Sequence, residues 1–228
     1  MDAQAGKDLL ITHGKTEKSN AVSGTDFCTL VDSMNLWDHL AGELLEKRGI
    51  SAPEGLDEIL APMSTEQSAN YLVKKYNLGI FPADFVKEMY EAIEEKYRTQ
   101  VQIKPFVGQY LQKKYEQGYP MCVATANSSV ITQQTLRRLG IFDCFSFIMT
   151  CDELGLSKQE PEFYSKTAEK LGFPPEETLV FEDTLHSARA AKEAGCLVAG
   201  IFDLASWKDE REMRRICDYY LTSFSEWA

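Results

Sequence analysis

After Lys104-Pro105 the apolar residues fall in short runs, and between those runs they recur at helical spacing. Met121–Thr125, Phe145–Thr150, Leu179–Phe181, Leu197–Ile201 and Tyr219–Leu221 read as strands. Val107–Gln117, Ser129–Leu139, Glu162–Leu171, Ser187–Ala194 and Ser206–Arg215 read as helices. Gly118, Gly140, Gly172 and Gly195 stand at helix ends, where a left-handed residue closes the last turn. Short apolar strands alternating with helices predict an α/β core, a doubly wound parallel sheet covered on both faces. Ligands of such sheets bind outside the carboxyl ends of the strands. Three segments occupy that position: Thr125-Ala126-Asn127, Cys151-Asp152-Glu153 and Glu182-Asp183-Thr184.

The first half of the chain follows another pattern. Residues 1–20 are polar and mixed in charge, which predicts a frayed N-terminal extension with Leu9–Thr12 as a candidate short strand. From Ala21 to Val31 a β-like stretch runs into Asp32-Ser33, a candidate helix N-cap. A helical pattern then passes through Leu36, Trp37, Leu40, Leu44 and Leu45 to Gly49. Helical spacing returns in Ser64–Tyr76 and Phe85–Tyr97, with Pro53, Pro62 and Pro82 as breaks. The block 33–97 contains no predicted strand and reads as an all-helical insert. Trp37, His39, Met63 and Tyr71 lie on its predicted helices, where aromatics and methionines fill cores more often than they touch substrates.

Composition narrows the function classes. The 228 residues carry 24 Lys+Arg against 35 Asp+Glu, a net charge of −11, and no basic run is longer than a pair such as Arg214-Arg215. A polyanion such as nucleic acid, or an anionic membrane surface, has no footprint here. No apolar run approaches a membrane span, and Leu9-Leu10-Ile11 is too short for a signal-peptide core, so the expected location is cytoplasmic. The six cysteines include no C-x-x-C pair and mostly sit in apolar stretches, so they read as buried thiols. His13, His39 and His186 are too far apart to suggest a zinc site. Oligomeric state leaves no signal in the sequence.

Chemistry gathers at the strand ends. Thr125 supplies a hydroxyl just before a helix start, where free N–H groups attract anions; a simple helix cap is the bland alternative. Glu182-Asp183 places two carboxylates together, which suits a hard cation such as Mg²⁺, although Asp183 capping the next helix explains it equally well. Lys158, in the loop Leu156–Pro161, reads alone as solvated surface charge. His186, three residues after Asp183, is expected to pack on the first turn of its helix.

Taken in order, these segments resemble a known family. Thr125-Ala126-Asn127 resembles motif II of the haloacid dehalogenase (HAD) superfamily, Ser157-Lys158-Gln159-Glu160-Pro161-Glu162-Phe163 resembles motif III, and Phe181-Glu182-Asp183-Thr184-Leu185-His186-Ser187 with Ala190–Gly195 resembles motif IV. The likeness is in particular to the β-phosphoglucomutase-like phosphatases. It implies a Rossmann-like core over 21–32 and 98–228 with a helical cap inserted over 33–97. It also implies Mg²⁺-dependent hydrolysis of a small phosphorylated metabolite through an aspartyl-phosphate. By this resemblance Thr125, Ala126, Asn127 and Lys158 would hold the phosphoryl group, and Asp183, Glu182 and Asp26 the Mg²⁺, with Asp26 as nucleophile.

Motif I departs from the family pattern Asp-x-Asp-Gly-Thr-Leu-Val-Asp-Ser. Thr29-Leu30-Val31-Asp32-Ser33 fits its second half, but that register places Thr25 at the nucleophile, Phe27 at the general acid/base and Cys28 at the glycine. Phenylalanine cannot exchange a proton, and a threonine without a base is a poor nucleophile. Shifted by one residue, Asp26 takes the nucleophile's place and Cys28 the acid/base position. Three readings stand side by side: a phosphatase using Asp26, an impaired relative that binds a ligand or partner, or a local sequence artefact reaching into residues 1–20.

Overall fold

The structure is a computed structural model. It describes residues 21–25, 27–33, 36, 39–60 and 63–228, with side chains from Thr29 onward except Ala205. The expected N-terminal extension, Asp26, Trp37 and Pro62 lie outside the described residues, as do the side chains of Thr25, Phe27 and Cys28. The described chain divides into two compact units, one of residues up to Val31 plus Ile103–Ala228, the other Asp32–Gln102.

In chain order the elements are β1 (Ala21–Thr25), α1 (Phe27–Leu30), β2 (Val31–Asp32), α2 (Leu40–Glu46), α3 (Leu56–Leu60), α4 (Thr65–Tyr76), α5 (Pro82–Thr99) and β3 (Gln102–Ile103). There follow α6 (Val107–Glu116), β4 (Met121–Thr125), α7 (Ser129–Arg138), β5 (Phe147–Thr150), α8 (Cys151–Leu154), α9 (Pro161–Leu171), β6 (Thr178–Glu182), α10 (Leu185–Glu193), β7 (Leu197–Ile201), α11 (Glu210–Ile216) and β8 (Tyr219–Leu221). Six strands form one sheet in the order β5-β4-β1-β6-β7-β8, and every pairing in it is parallel. This is the Rossmann-like α/β core expected from the alternating pattern. β2 and β3 pair as a separate two-stranded ladder.

The inner strands β4 and β6 are covered on both faces. Every residue of β4 and β6 is buried. Since successive strand side chains point to opposite faces, Val180 and Phe181 serve different cores. Val180 packs with Val198, Phe163, Tyr164 and the alanines Ala188, Ala190 and Ala191, whose small side chains let α10 lie close to the sheet. Phe181 meets Tyr110 at 5.5 Å and 70° and Phe224 at 5.4 Å on the other face.

The second unit is helical. α4 begins with a capping box in which Ser64 and Gln67 exchange backbone and side-chain hydrogen bonds. α5 starts with Pro82 at its first turn and buries Phe85, Met89, Ile93, Lys96 and Tyr97 along one stripe. The buried Lys96 ammonium donates to Glu43 at 2.8 Å and to the Leu36 carbonyl at 3.3 Å, which satisfies a charge that burial alone would penalise. Arg48 and Glu88 form a second ion pair. His39 departs from the expected core position: it is exposed, takes a left-handed φ of 62° ahead of α2, and lies 2.6 Å from Asp57.

Several boundaries differ by a residue or two from those the periodicity predicts, β6 running Thr178–Glu182 and α10 Leu185–Glu193, and two larger departures have a local cause. β5 begins at Phe147, because a 3₁₀ turn over Phe142–Cys144 uses the Phe145 N–H. The helix expected over Ser206–Arg215 is split into a 3₁₀ segment, Leu204–Asp209, and α11, with Leu204 and Trp207 exposed. No described helix is long and apolar enough to cross a membrane.

Gly200, the next-to-last residue of β7, is required by contact rather than by backbone angle. A Cβ there would sit 2.8 Å from the Tyr220 ring, 3.0 Å from Cys217 Sγ and 3.2 Å from Met213. Gly200→Ala is therefore expected to destabilise the core by about 1–3 kcal/mol through overpacking, read as a lowered midpoint in denaturant unfolding with an unchanged slope.

Candidate active site

Parallel pairing brings the loops after β4, β5 and β6 out at one edge of the sheet. β4 ends at Thr125, which is fully buried and whose hydroxyl accepts the Asn127 N–H at 3.0 Å. The helix that follows is capped by Ser128, which accepts the Ile131 N–H at 3.3 Å. Thr125 is thus not the cap of α7. It stabilises a tight turn that carries Ala126 to the surface and folds the Asn127 amide inward.

β6 ends at Glu182, a carboxylate with no solvent exposure. Its Oε1 accepts two donors, Lys158 Nζ at 2.7 Å and the Tyr164 hydroxyl at 2.9 Å. Lys158 is 8% exposed, so the expectation of a solvated surface lysine gives way to a buried ion pair. The reason is geometric. The loop after α8 turns back over the sheet edge before α9 begins, and a buried carboxylate requires a cation and hydrogen bonds. Tyr164, on the first turns of α9, is 2% exposed. Burial first, and then the adjacent Glu182 charge, hold its phenol proton well above the ordinary tyrosine range, so the hydroxyl stays a donor.

Asp183 follows, 6% exposed, and accepts the Thr29 hydroxyl at 3.2 Å across 154 residues of sequence. The N-cap of α10 is Thr184, whose own side chain makes no capping bond. Thr29 stands on α1, the single turn that follows β1. The Thr29–Asp183 bond ties that turn to the end of β6, its neighbour in the sheet.

These segments meet around a depression of about 750 Å³ whose lining includes Ala126, Cys151, Asp152, Lys158, Thr184 and His186. Sequence-predicted residues from three separate loops are therefore brought to one place. His186 is exposed and lines the depression, while Ser187 and Ala188 take the buried side of α10. Asp26, the candidate nucleophile, lies outside the described residues. Sequence reasoning missed Tyr164, because a tyrosine beside Phe163 at helical spacing looks like ordinary core. It met Thr29 only as part of a motif. Neither the separation of 18 residues nor that of 154 leaves a local signal.

The donor set at the end of β6 is all oxygen, the kind Mg²⁺ takes. Among the described residues no group of three or more His, Cys, Asp or Glu could hold a metal ion. Mg²⁺ needs less than that, since it is commonly held by one or two carboxylates together with water and phosphate oxygens. Asp183 fits such a role, while Glu182 is engaged by Lys158 and Tyr164.

Comparison with known proteins gives the family and the fold. A family model described as haloacid dehalogenase-like hydrolase matches residues 26–201. The chain is 24% identical over 166 residues to a phosphorylated carbohydrates phosphatase of Thermotoga maritima, covering 73% of this chain and 77% of that protein. It is 35% identical over 92 residues to YhcW of Bacillus subtilis, a match that spans only 42% of YhcW and 40% of this chain. The fold matches CbbY of Rhodobacter sphaeroides, solved in complex with phosphate, with a TM-score of 0.68 at 21% identity, over 91% of this chain and 95% of that one.

The buried pair makes a stability prediction. Lys158→Met leaves the Glu182 carboxylate buried without this cation and should cost about 3–5 kcal/mol in urea unfolding, part of it recovered when Glu182→Gln is added.

Proposed function

Because the chain belongs to the haloacid dehalogenase-like hydrolases, we propose that it hydrolyses a small phosphomonoester at the depression formed by the loops after β4, β5 and β6. The observation that supports this reading most is the convergence of Ala126, Lys158 and Thr184, the residue next to Asp183, on one depression. An exposed turn at Ala126 offers backbone N–H groups to the equatorial oxygens of a phosphoryl group, and Lys158 offers a positive charge. Asp26 attacks phosphorus as the bond from phosphorus to the ester oxygen breaks, the departing oxygen takes a proton from the Cys28 thiol or from water, and water then cleaves the aspartyl-phosphate. Mg²⁺, held by Asp183 and Asp26, would supply charge neutralisation between the attacking carboxylate and the phosphoryl oxygens. The Thr29 hydroxyl orients Asp183 for that purpose.

The substrate we infer is a small phosphorylated metabolite. Such a metabolite brings its own anion, and the site needs only local positive features to accept it despite a net charge of −11. A soluble, cytoplasmic setting is part of the same proposal.

Motif I favours a second reading by its composition. With Phe27 and Cys28 where the family has an acid/base carboxylate and a glycine, turnover is slowed or lost while ligand binding at Lys158 persists. Loss of a general acid/base alone typically costs about 10²–10⁴ in rate. The test is release of inorganic phosphate from 4-nitrophenyl phosphate with and without Mg²⁺. The expected result is slow, Mg²⁺-dependent turnover that disappears in Asp26→Asn and Asp183→Asn and rises about 10²-fold or more in Cys28→Asp, which restores a carboxylate two residues after Asp26. Turnover that survives Asp26→Asn removes the nucleophile assignment. Binding of phosphate and Mg²⁺ without turnover selects the second reading.

A further inference from the structure

We propose that Tyr164 is a positioning residue for the phosphate site: its hydroxyl anchors the Glu182 carboxylate, so that Lys158 is able to turn toward a bound phosphate. This inference rests on the phosphate-binding role proposed above.

Both donors on Glu182 converge on the same oxygen, Oε1, with Lys158 at 2.7 Å and Tyr164 at 2.9 Å. They differ in freedom. Lys158 has a flexible stem and is among the residues that line the depression, whereas Tyr164 is not among them and sits within the core. Its ring packs edge-on against Phe163 at 5.4 Å and 88°, and a tyrosine has only two side-chain torsions to lose. The phenol is therefore the fixed point of the cluster and the ammonium the adjustable one.

A phosphate in the depression competes with Glu182 for Lys158. Drawing the ammonium away weakens a hydrogen bond to a carboxylate that has no access to bulk water, a change that is costly when nothing else bonds the same oxygen. The Tyr164 hydroxyl remains on Oε1 throughout and limits that cost. Without it, Glu182 retains Lys158 and phosphate binds less well. Asp183 is held by Thr29 and not by Tyr164, so the cation side of the site does not depend on the phenol.

Tyr164→Phe keeps the ring and removes only the hydroxyl. Calorimetric titration of inorganic phosphate into the wild-type chain and into Y164F, with parallel titrations of Mg²⁺, reads the effect. Phosphate Kd is expected to rise about tenfold in Y164F, the scale of a hydrogen bond to a charged group, while Mg²⁺ Kd stays within about threefold. An unchanged phosphate Kd overturns the proposal. So does an equal weakening of both ligands, or a variant that fails to fold, since each makes the hydroxyl a general structural element. A wild-type chain with no phosphate affinity fails the functional reading itself, and the inference falls with it. Wild-type binding with an unaffected Y164F removes the positioning role alone.

Discussion

A carboxylate without solvent exposure at the last position of a central strand is the constraint from which the site follows. Glu182 has to be paired, and each partner comes from elsewhere in the chain: Lys158 from the loop after α8, Tyr164 from α9. α9 packs over β1 and β4 and against α10, which carries Tyr164 across the sheet to the end of β6. Apolar surroundings cut both ways here. They make an unpaired Glu182 intolerable, and they strengthen the bonds it does make. Val180, Phe163 and Ala188, which build that core, thus also set the electrostatics of the edge.

The arrangement gives a different meaning to the net charge of −11. Lys158, the cation nearest the depression among the predicted site residues, already has Glu182 as its partner, so its charge is partly compensated before any ligand arrives. Affinity for a phosphate ester must come from several local terms acting together: the turn at Ala126, the ammonium, and a cation at Asp183. The overall acidity of the chain opposes extended polyanions more than it opposes a compact phosphoryl group that reaches these features at short range.

Much of the architecture was legible in the residues. The runs at 121–125, 197–201 and 219–221 are strands with the bounds the pattern predicts, because a short apolar run between polar or turn residues is itself the signature of a strand in a covered sheet. Boundaries slipped where local hydrogen bonding competes with periodicity, as at Phe145, whose N–H joins a 3₁₀ turn. His39 was misplaced because a period of 3.6 assigns a residue to a face only if the helix has already begun, and α2 begins one residue later. The bland alternatives at the site were likewise open to local reasoning. Thr125 and Asp183 each precede a helix, and only the folded structure shows that Ser128 and Thr184 occupy the cap positions.

By itself the sequence determined the alternation that yields a parallel α/β sheet, the presence of an inserted helical segment, and the three strand ends at which chemistry could collect. These are properties of neighbours a few residues apart, where periodicity and side-chain type act directly. Tertiary structure alone decided that Lys158 is buried against Glu182, that Tyr164 shares the same oxygen, and that Thr29 reaches Asp183. Those contacts join residues 24, 18 and 154 positions apart. No local preference encodes them. They exist because the strand order and the packing of α9 bring the groups together, and because a charge removed from water has to find its partners there.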